Sequence, residues 1–131
     1  MTNQNDARRL EEASRRYWEH FDAETARLGA TDYGQAFTAA GIHYTTTGGG
    51  CTAWGAELPH EGMLLITSGY ADGDCSMDAE ADENTTEWQV GESYYGEGAP
   101  AEADCEYRTF PIADHAAAAA YAAELLAKRR A

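Results

Sequence analysis

Apolar and polar positions change period along the chain, and each change marks an element. Between Asp6 and Leu28, Leu10, Tyr17, Phe21 and Leu28 fall on one face of a 3.6-residue repeat, with Ala13 and Trp18 beside them. The opposite face interleaves Arg8, Arg9, Arg15 and Arg16 with Glu11, Glu12 and Glu19. This pattern predicts an amphipathic helix, with Asn5 or Asp6 to satisfy its first amides and Gly29 to stop it. A short second helix follows, with Thr31 or Asp32 as cap, Ala36 and Phe37 inward and Gly41 as terminator. The period then falls to two. Ile42–Thr47 and Cys51–Leu58 read as strands around the Gly48-Gly49-Gly50 turn. Pro59-His60-Glu61-Gly62 has turn chemistry, and Met63–Ser68, apolar on both faces, predicts a central strand. Thr86–Tyr95 and Asp104–Ile112 supply two more strands. Between strands three and four, Tyr70–Thr85 reads as a loop whose one candidate core residue is Met77. Asp114 is placed to cap a last helix, in which Ala116–Ala120 favours helix. Tyr121, Leu125 and Leu126 form its buried stripe, helped by Ala118 and Ala122.

The order α-α-β-β-β-β-β-α with short connections predicts one α+β domain over 1–131. Its expected architecture is a single antiparallel sheet of about five strands with the N-terminal and C-terminal helices on one face. The other face is left to solvent or to a partner. At 131 residues the chain is long enough for a core without disulfides or metals, and three tryptophans and eight tyrosines give that core large pieces.

Charge sharpens this picture. The net charge is −14, and no lysine or arginine stands between Arg27 and Arg108. The two flanking segments together sum to zero, so the whole excess lies in Glu57–Glu106. Such a field repels phosphates and argues against direct nucleic-acid binding. The most acidic part, Asp72, Asp74, Asp78, Glu80, Asp82, Glu83 and Glu87, runs into Trp88, Glu92, Tyr94, Tyr95 and Glu97. Aromatics among carboxylates fit a surface for a basic protein partner, and these twelve residues are the expected binding site. The competing reading turns the aromatics to the core and leaves the acids to keep a small domain in solution.

Three other chemistries are writable. Asp72, Asp74, Ser76, Asp78, Glu80 and Glu83 place oxygen at positions 1, 3, 5, 7, 9 and 12 of a calcium loop, but Met77 stands where its sharp turn needs glycine and a strand precedes it. Cys51, Cys75, Cys105, His43, His60 and His115 lack the close pairing of a zinc site. Cys51 with His43 could form a nucleophile and base, yet surrounding carboxylates disfavour a thiolate. The expectation is therefore no catalytic residue and no cofactor, with calcium as the alternative. No apolar run is long enough to span a bilayer and the first residues are polar, which predicts a cytoplasmic protein.

Gly48-Gly49-Gly50-Cys51-Thr52-Ala53-Trp54, then Leu64-Leu65-Ile66-Thr67, then Trp88-Gln89-Val90-Gly91 resembles small accessory proteins encoded by bacteriophages of high-G+C bacteria. The likeness covers the β region, about half the chain. It implies host or defence proteins as partners and brings no catalytic motif. Together with the charge, it leads to the expectation of a nucleic-acid mimic or an inhibitor of the anti-CRISPR kind. A structural protein, homodimeric through its open sheet face, is the alternative.

Overall fold

The computed structural model describes residues 4–48, 50–70, 76 and 78–131. Its elements follow the order α1 (Gln4–Gly29), α2 (Asp32–Ala39), β1 (His43–Gly48), β2 (Cys51–Leu58), β3 (Gly62–Gly69), β4 (Glu87–Tyr94), β5 (Tyr107–Pro111) and α3 (His115–Arg130). Two single 3₁₀ turns, Glu102–Asp104 and Ile112–Asp114, flank β5. The five strands pair in sequence order, all antiparallel. β3 is the central strand, as its two-sided apolar pattern requires.

Registers assign the faces. Tyr44, Trp54, Ile66, Val90 and Arg108 lie in one row across the sheet, and Ser68, Trp88 and Phe110 in another. These rows face the helices. Trp54, Leu64, Ile66, Trp88 and Val90 meet Leu28, Phe37, Leu125 and Leu126 in one buried core, with Ala118, Ala119 and Ala122 letting α3 approach closely. Phe37 sits edge-on to Trp88 with ring centroids 5.0 Å apart, and Tyr33 lies 4.9 Å from the same indole.

The joint between α1 and α2 is tight. Thr31 caps α2 by accepting from the Gly34 amide at 3.0 Å. Gly41 leaves α2 at φ +84°, and the Ile42 amide returns to the Phe37 carbonyl at 2.9 Å. Asp114 stands at the N-terminus of α3 as expected, but its side chain makes no capping hydrogen bond.

Two expectations about the core need correction. The α1 stripe is not buried along its length. Leu28 is buried and Phe21 half-buried, whereas Gln4 to His20 are all exposed, with Leu10, Tyr17 and Trp18 at 68 %, 49 % and 55 %. The helix is about 39 Å long and only its last third reaches the domain. The loop after β3 does supply core: Ala79 is fully buried and its carbonyl accepts from the Trp54 indole N–H at 2.9 Å. Met77 lies outside the described residues.

Candidate functional site

The meander's register divides the carboxylates between the two ends of the sheet. At one end the chain leaves β3 at Gly69 and enters β4 at Glu87, and these two residues pair. The described residues Ser76 and Asp78 of this connection lie against the β2–β3 corner, at Ser68 and Thr52. The Ser68 amide donates to the Asp78 carbonyl at 2.9 Å, and the Thr86 amide to Gly69 at 2.8 Å. Asp78, Asp82 and Glu83 are exposed there, with Glu87 half-buried beside them. Asp82 accepts from the Asn84 and Thr85 amides, which fixes the turn. Glu80 belongs to this stretch but is engaged inward, where the Arg27 guanidinium donates to both its oxygens at 2.7 and 3.0 Å. Arg27 also holds Glu24, whose carboxyl is kept below its ordinary range mainly by that hydrogen bond.

At the other end, the Leu58–Gly62 turn lies against Tyr94, since Gly62 pairs with that residue. His60 and Glu61 both take left-handed conformations, with φ of 61° and 54°. Tyr95, 84 % exposed, and Glu97 start the β4–β5 connection, which also exposes Glu102 and Asp104. Glu57 and Glu61 join them from β2 and its turn. Eight-residue strands separate the two acidic poles by about 26 Å.

Two of the twelve expected binding residues do not reach the surface. Trp88 is fully buried, with its indole N–H donated to the Ile112 carbonyl at 3.0 Å, because an even step along β4 from Val90 keeps it on the helix face. Glu92 shares that face. Its side chain is 0 % exposed and accepts from Arg129 Nη2 at 2.6 Å and Nε at 3.0 Å. Tyr94 is half-buried, donates its hydroxyl to Glu92 at 3.3 Å, and is held above the ordinary phenol range by burial and that carboxylate. Asp72 and Asp74 lie outside the described residues. Asp78, Asp82, Glu83 and Glu87 therefore form one pole, and Tyr95 with Glu97 belongs to the other. Glu57, Glu61, Glu102 and Asp104 complete the second pole, which chain proximity alone did not group. The signal that could have found them is the meander, which puts alternate turns at the same end of a sheet.

Three of the four described candidate calcium ligands, Ser76, Asp78 and Glu80, have protein partners. Ser76 Oγ donates to the Ser68 carbonyl at 2.8 Å, Asp78 accepts from Thr52 and from the Glu80 amide, and Glu80 holds Arg27. Glu83 is exposed. Among the described residues no three His, Cys, Asp or Glu side chains converge as a metal site. Cys51 and His43 occupy opposite ends of the β1–β2 hairpin, where Cys51 pairs with Gly48 and His43 with Gly55, so they form no nucleophile–base pair. Cys105 is half-buried near Glu92, and desolvation followed by that carboxylate raises its thiol.

The sheet face away from the helices is floored by Ala53, Gly55 and Gly91. Leu65, Thr67, Gln89 and Tyr107 line a shallow groove of about 300 Å³ on it. Among the described residues no helix is long and apolar enough to cross a membrane. No protein-family model matches the chain, and neither the curated proteins nor the solved structures contain a match.

Proposed function

We propose that this chain is a small non-enzymatic binding protein whose acidic poles engage a basic protein surface, of the kind that ordinarily holds nucleic acid. A host or defence protein is the partner class. The observation that carries this reading is the division of labour among charges. Each cation of the body is held internally: Arg27 by Glu24 and Glu80, Lys128 by Glu106, Arg129 by Glu92, Arg130 by the Glu57 carbonyl, and Arg108 over the Phe110 and Tyr121 rings. Among the described residues no cation pairs with Glu61, Glu83, Glu97 or Glu102. The first pole thus keeps its exposed charge, the second keeps all but the one unit that Arg130 offsets beside Glu57, and the field of both extends into solvent. The poles are separated by about the rise of eight base pairs at 3.4 Å each, so a groove that follows a duplex could meet both.

The test is binding of the intact protein to an arginine- and lysine-rich peptide at about 0.05 M and about 0.5 M salt. Affinity is expected to fall at least tenfold between them, with smaller losses for Glu83→Gln/Glu87→Gln and Glu61→Gln/Glu97→Gln than for all four changes together. Proteins retained from a lysate at low salt are expected to be eluted by duplex DNA, which competes for the same basic surface. Affinity that does not respond to salt, or is unchanged in the fourfold variant, refutes the proposal.

A further inference from the structure

Gln4–His20 of α1 forms an exposed arm, and a cleft opens where the base of this arm passes the β1–β2 hairpin. One part of the cleft is an aromatic groove of about 390 Å³. Tyr17 and Phe21 reach it from successive turns of α1. Tyr44 reaches it from β1, where its pairing with Trp54 puts it on the helix face of the sheet. The Phe21 and Tyr44 rings lie 5.2 Å apart, tilted by 40°. His20, Tyr44, Gly50 and Thr52 also border a second space of about 330 Å³, walled by Glu24, Asp78 and Glu80. The two spaces share these four residues, so one cleft runs from aromatic rings to carboxylates.

The charges in the cleft do not cancel. The Arg27 guanidinium bridges two of the three carboxylates, with Nε donating to Glu24 at 3.1 Å and Nη1 to Glu80 at 2.7 Å. One positive charge against three negative ones leaves an excess of two. Asp78 accepts through Oδ1 from Thr52 and from the Glu80 amide, and among the described residues nothing donates to its Oδ2. Burial, and after it the fields of Glu24 and Asp78, hold the Tyr44 hydroxyl above the ordinary phenol range. Those carboxylates therefore act on a ring that walls the groove.

We propose, resting on the reading of the acidic poles as the surface for a basic protein, that the cleft beside Asp78 receives one arginine side chain of that partner. The excess negative charge selects a cation. An anion would be repelled, and an apolar side chain would strip water from carboxylates without pairing them. The rings then select among cations. A guanidinium stacks on aromatic faces and is attracted by the ring quadrupole within about 6 Å of the centroid. Its methylene stem covers apolar surface. Its fork of donors matches a carboxylate edge, as Arg27 does on the two oxygens of Glu80 at 2.7 and 3.0 Å. A lysine ammonium is a compact, strongly hydrated charge that makes neither the stacked nor the forked contact. Arginine seated in a pocket is also a frequent anchor of protein interfaces.

Two peptides of equal length and charge, one with arginine as its only cation and one with lysine, test this by calorimetry on the intact protein at about 0.15 M salt. The arginine peptide is expected to bind about fivefold more tightly. Tyr17 is 49 % exposed, so Tyr17→Ala removes a wall of the groove without changing charge or core, and is expected to erase most of that preference. Asp78→Asn keeps an acceptor for Thr52 and the Glu80 amide, and is expected to weaken the arginine peptide about threefold. Nuclear Overhauser contacts are expected from the arginine methylene protons to the Phe21 and Tyr44 rings. Equal affinity for the two peptides, a preference untouched by Tyr17→Ala, or absence of those ring contacts overturns the arginine cleft. If both peptides still weaken with salt in that case, the reading of the poles stands without the cleft. Binding of both peptides that ignores salt overturns the poles and the cleft with them.

Discussion

Replacing Arg129 by methionine isolates one carboxylate inside the protein. Glu92 is 0 % exposed on the helix face of β4, and Arg129 supplies two of its hydrogen bonds, at 2.6 and 3.0 Å. What remains after Arg129→Met is the Tyr94 hydroxyl and the Glu106 amide, both at 3.3 Å, and the Cys105 thiol. Removing one partner of a buried pair costs about 3–5 kcal/mol, because the other charge keeps its desolvation without its counter-charge. Arg129 is 17 % exposed, so solvent reaches its site and the low end, about 3 kcal/mol, is expected. Glu92→Gln is the milder change. It leaves Arg129 donating to the Asp104 carbonyl at 2.9 Å and partly open to water, at about 1–2 kcal/mol. Glu92→Gln/Arg129→Met is expected to cost less than Arg129→Met alone. Urea unfolding followed by the fluorescence of the buried Trp54 and Trp88 gives all three values. The reasoning fails if Arg129→Met costs under about 1 kcal/mol, or if Glu92→Gln is the more damaging of the two.

Three further perturbations follow from the backbone and from charge. A Cβ on Gly34 would lie 2.0 Å from the Leu28 carbonyl oxygen, so Gly34→Ala is expected to destabilise by more than about 3 kcal/mol in the same urea assay; a loss within the range of an ordinary surface change refutes the close approach. Glu61 is held at φ 54°, where a Cβ is unfavourable, and Glu61→Gly is expected to stabilise the β2–β3 turn by about 0.5–1 kcal/mol, seen as a higher melting temperature. Glu24 and Glu106 are held below their ordinary carboxylate value of 4.5 by Arg27 and Lys128, so their contribution is present above 4.5 and is lost as pH falls through their lower folded values. Stability should decline on acidification across that window, and Arg27→Gln should flatten the decline; an unchanged pH profile in that variant removes Glu24 from it.

Most of the fold was legible because local and tertiary signals agree. Cys51–Leu58 carries strand composition between two turns, and β2 occupies those residues. Met63–Ser68 forms the central strand β3, with Leu64 and Ile66 buried against the helices and Met63 and Leu65 half-buried on the other face. Asp104–Ile112 is less regular: a 3₁₀ turn takes Glu102–Asp104 and the strand begins only at Tyr107. The site was less legible. Trp88 and Tyr95 look alike in a stretch rich in aromatics and acids, and only the strand's parity sends one to the core and leaves the other at 84 % exposure. Glu92 gave no sign of burial, because its partner lies 37 residues along the chain. Periodicity also cannot tell a packed helix face from an unpacked one. Leu10 and Leu28 satisfy the same repeat, yet they are 68 % and 2 % exposed.

That last difference changes how the charge is read. The two terminal segments together balance their acids and bases, but in space they behave oppositely. The basic end of α3 ties the sheet together: Lys128 reaches Glu106, Arg129 reaches Glu92, and Arg130 donates to the Glu57 carbonyl at 2.7 Å. Cations there also complement the helix dipole. Lys128 and Arg129 are thereby taken up by Glu106 and Glu92, and Arg130 stands beside Glu57 at the second pole, where it offsets one of that pole's carboxylates. The arm of α1, in contrast, keeps its charges in solvent and its apolar stripe uncovered. The field of the molecule is therefore set by its body and not by the arm, which is why the proposed engagement of a cationic partner is assigned to the acidic poles.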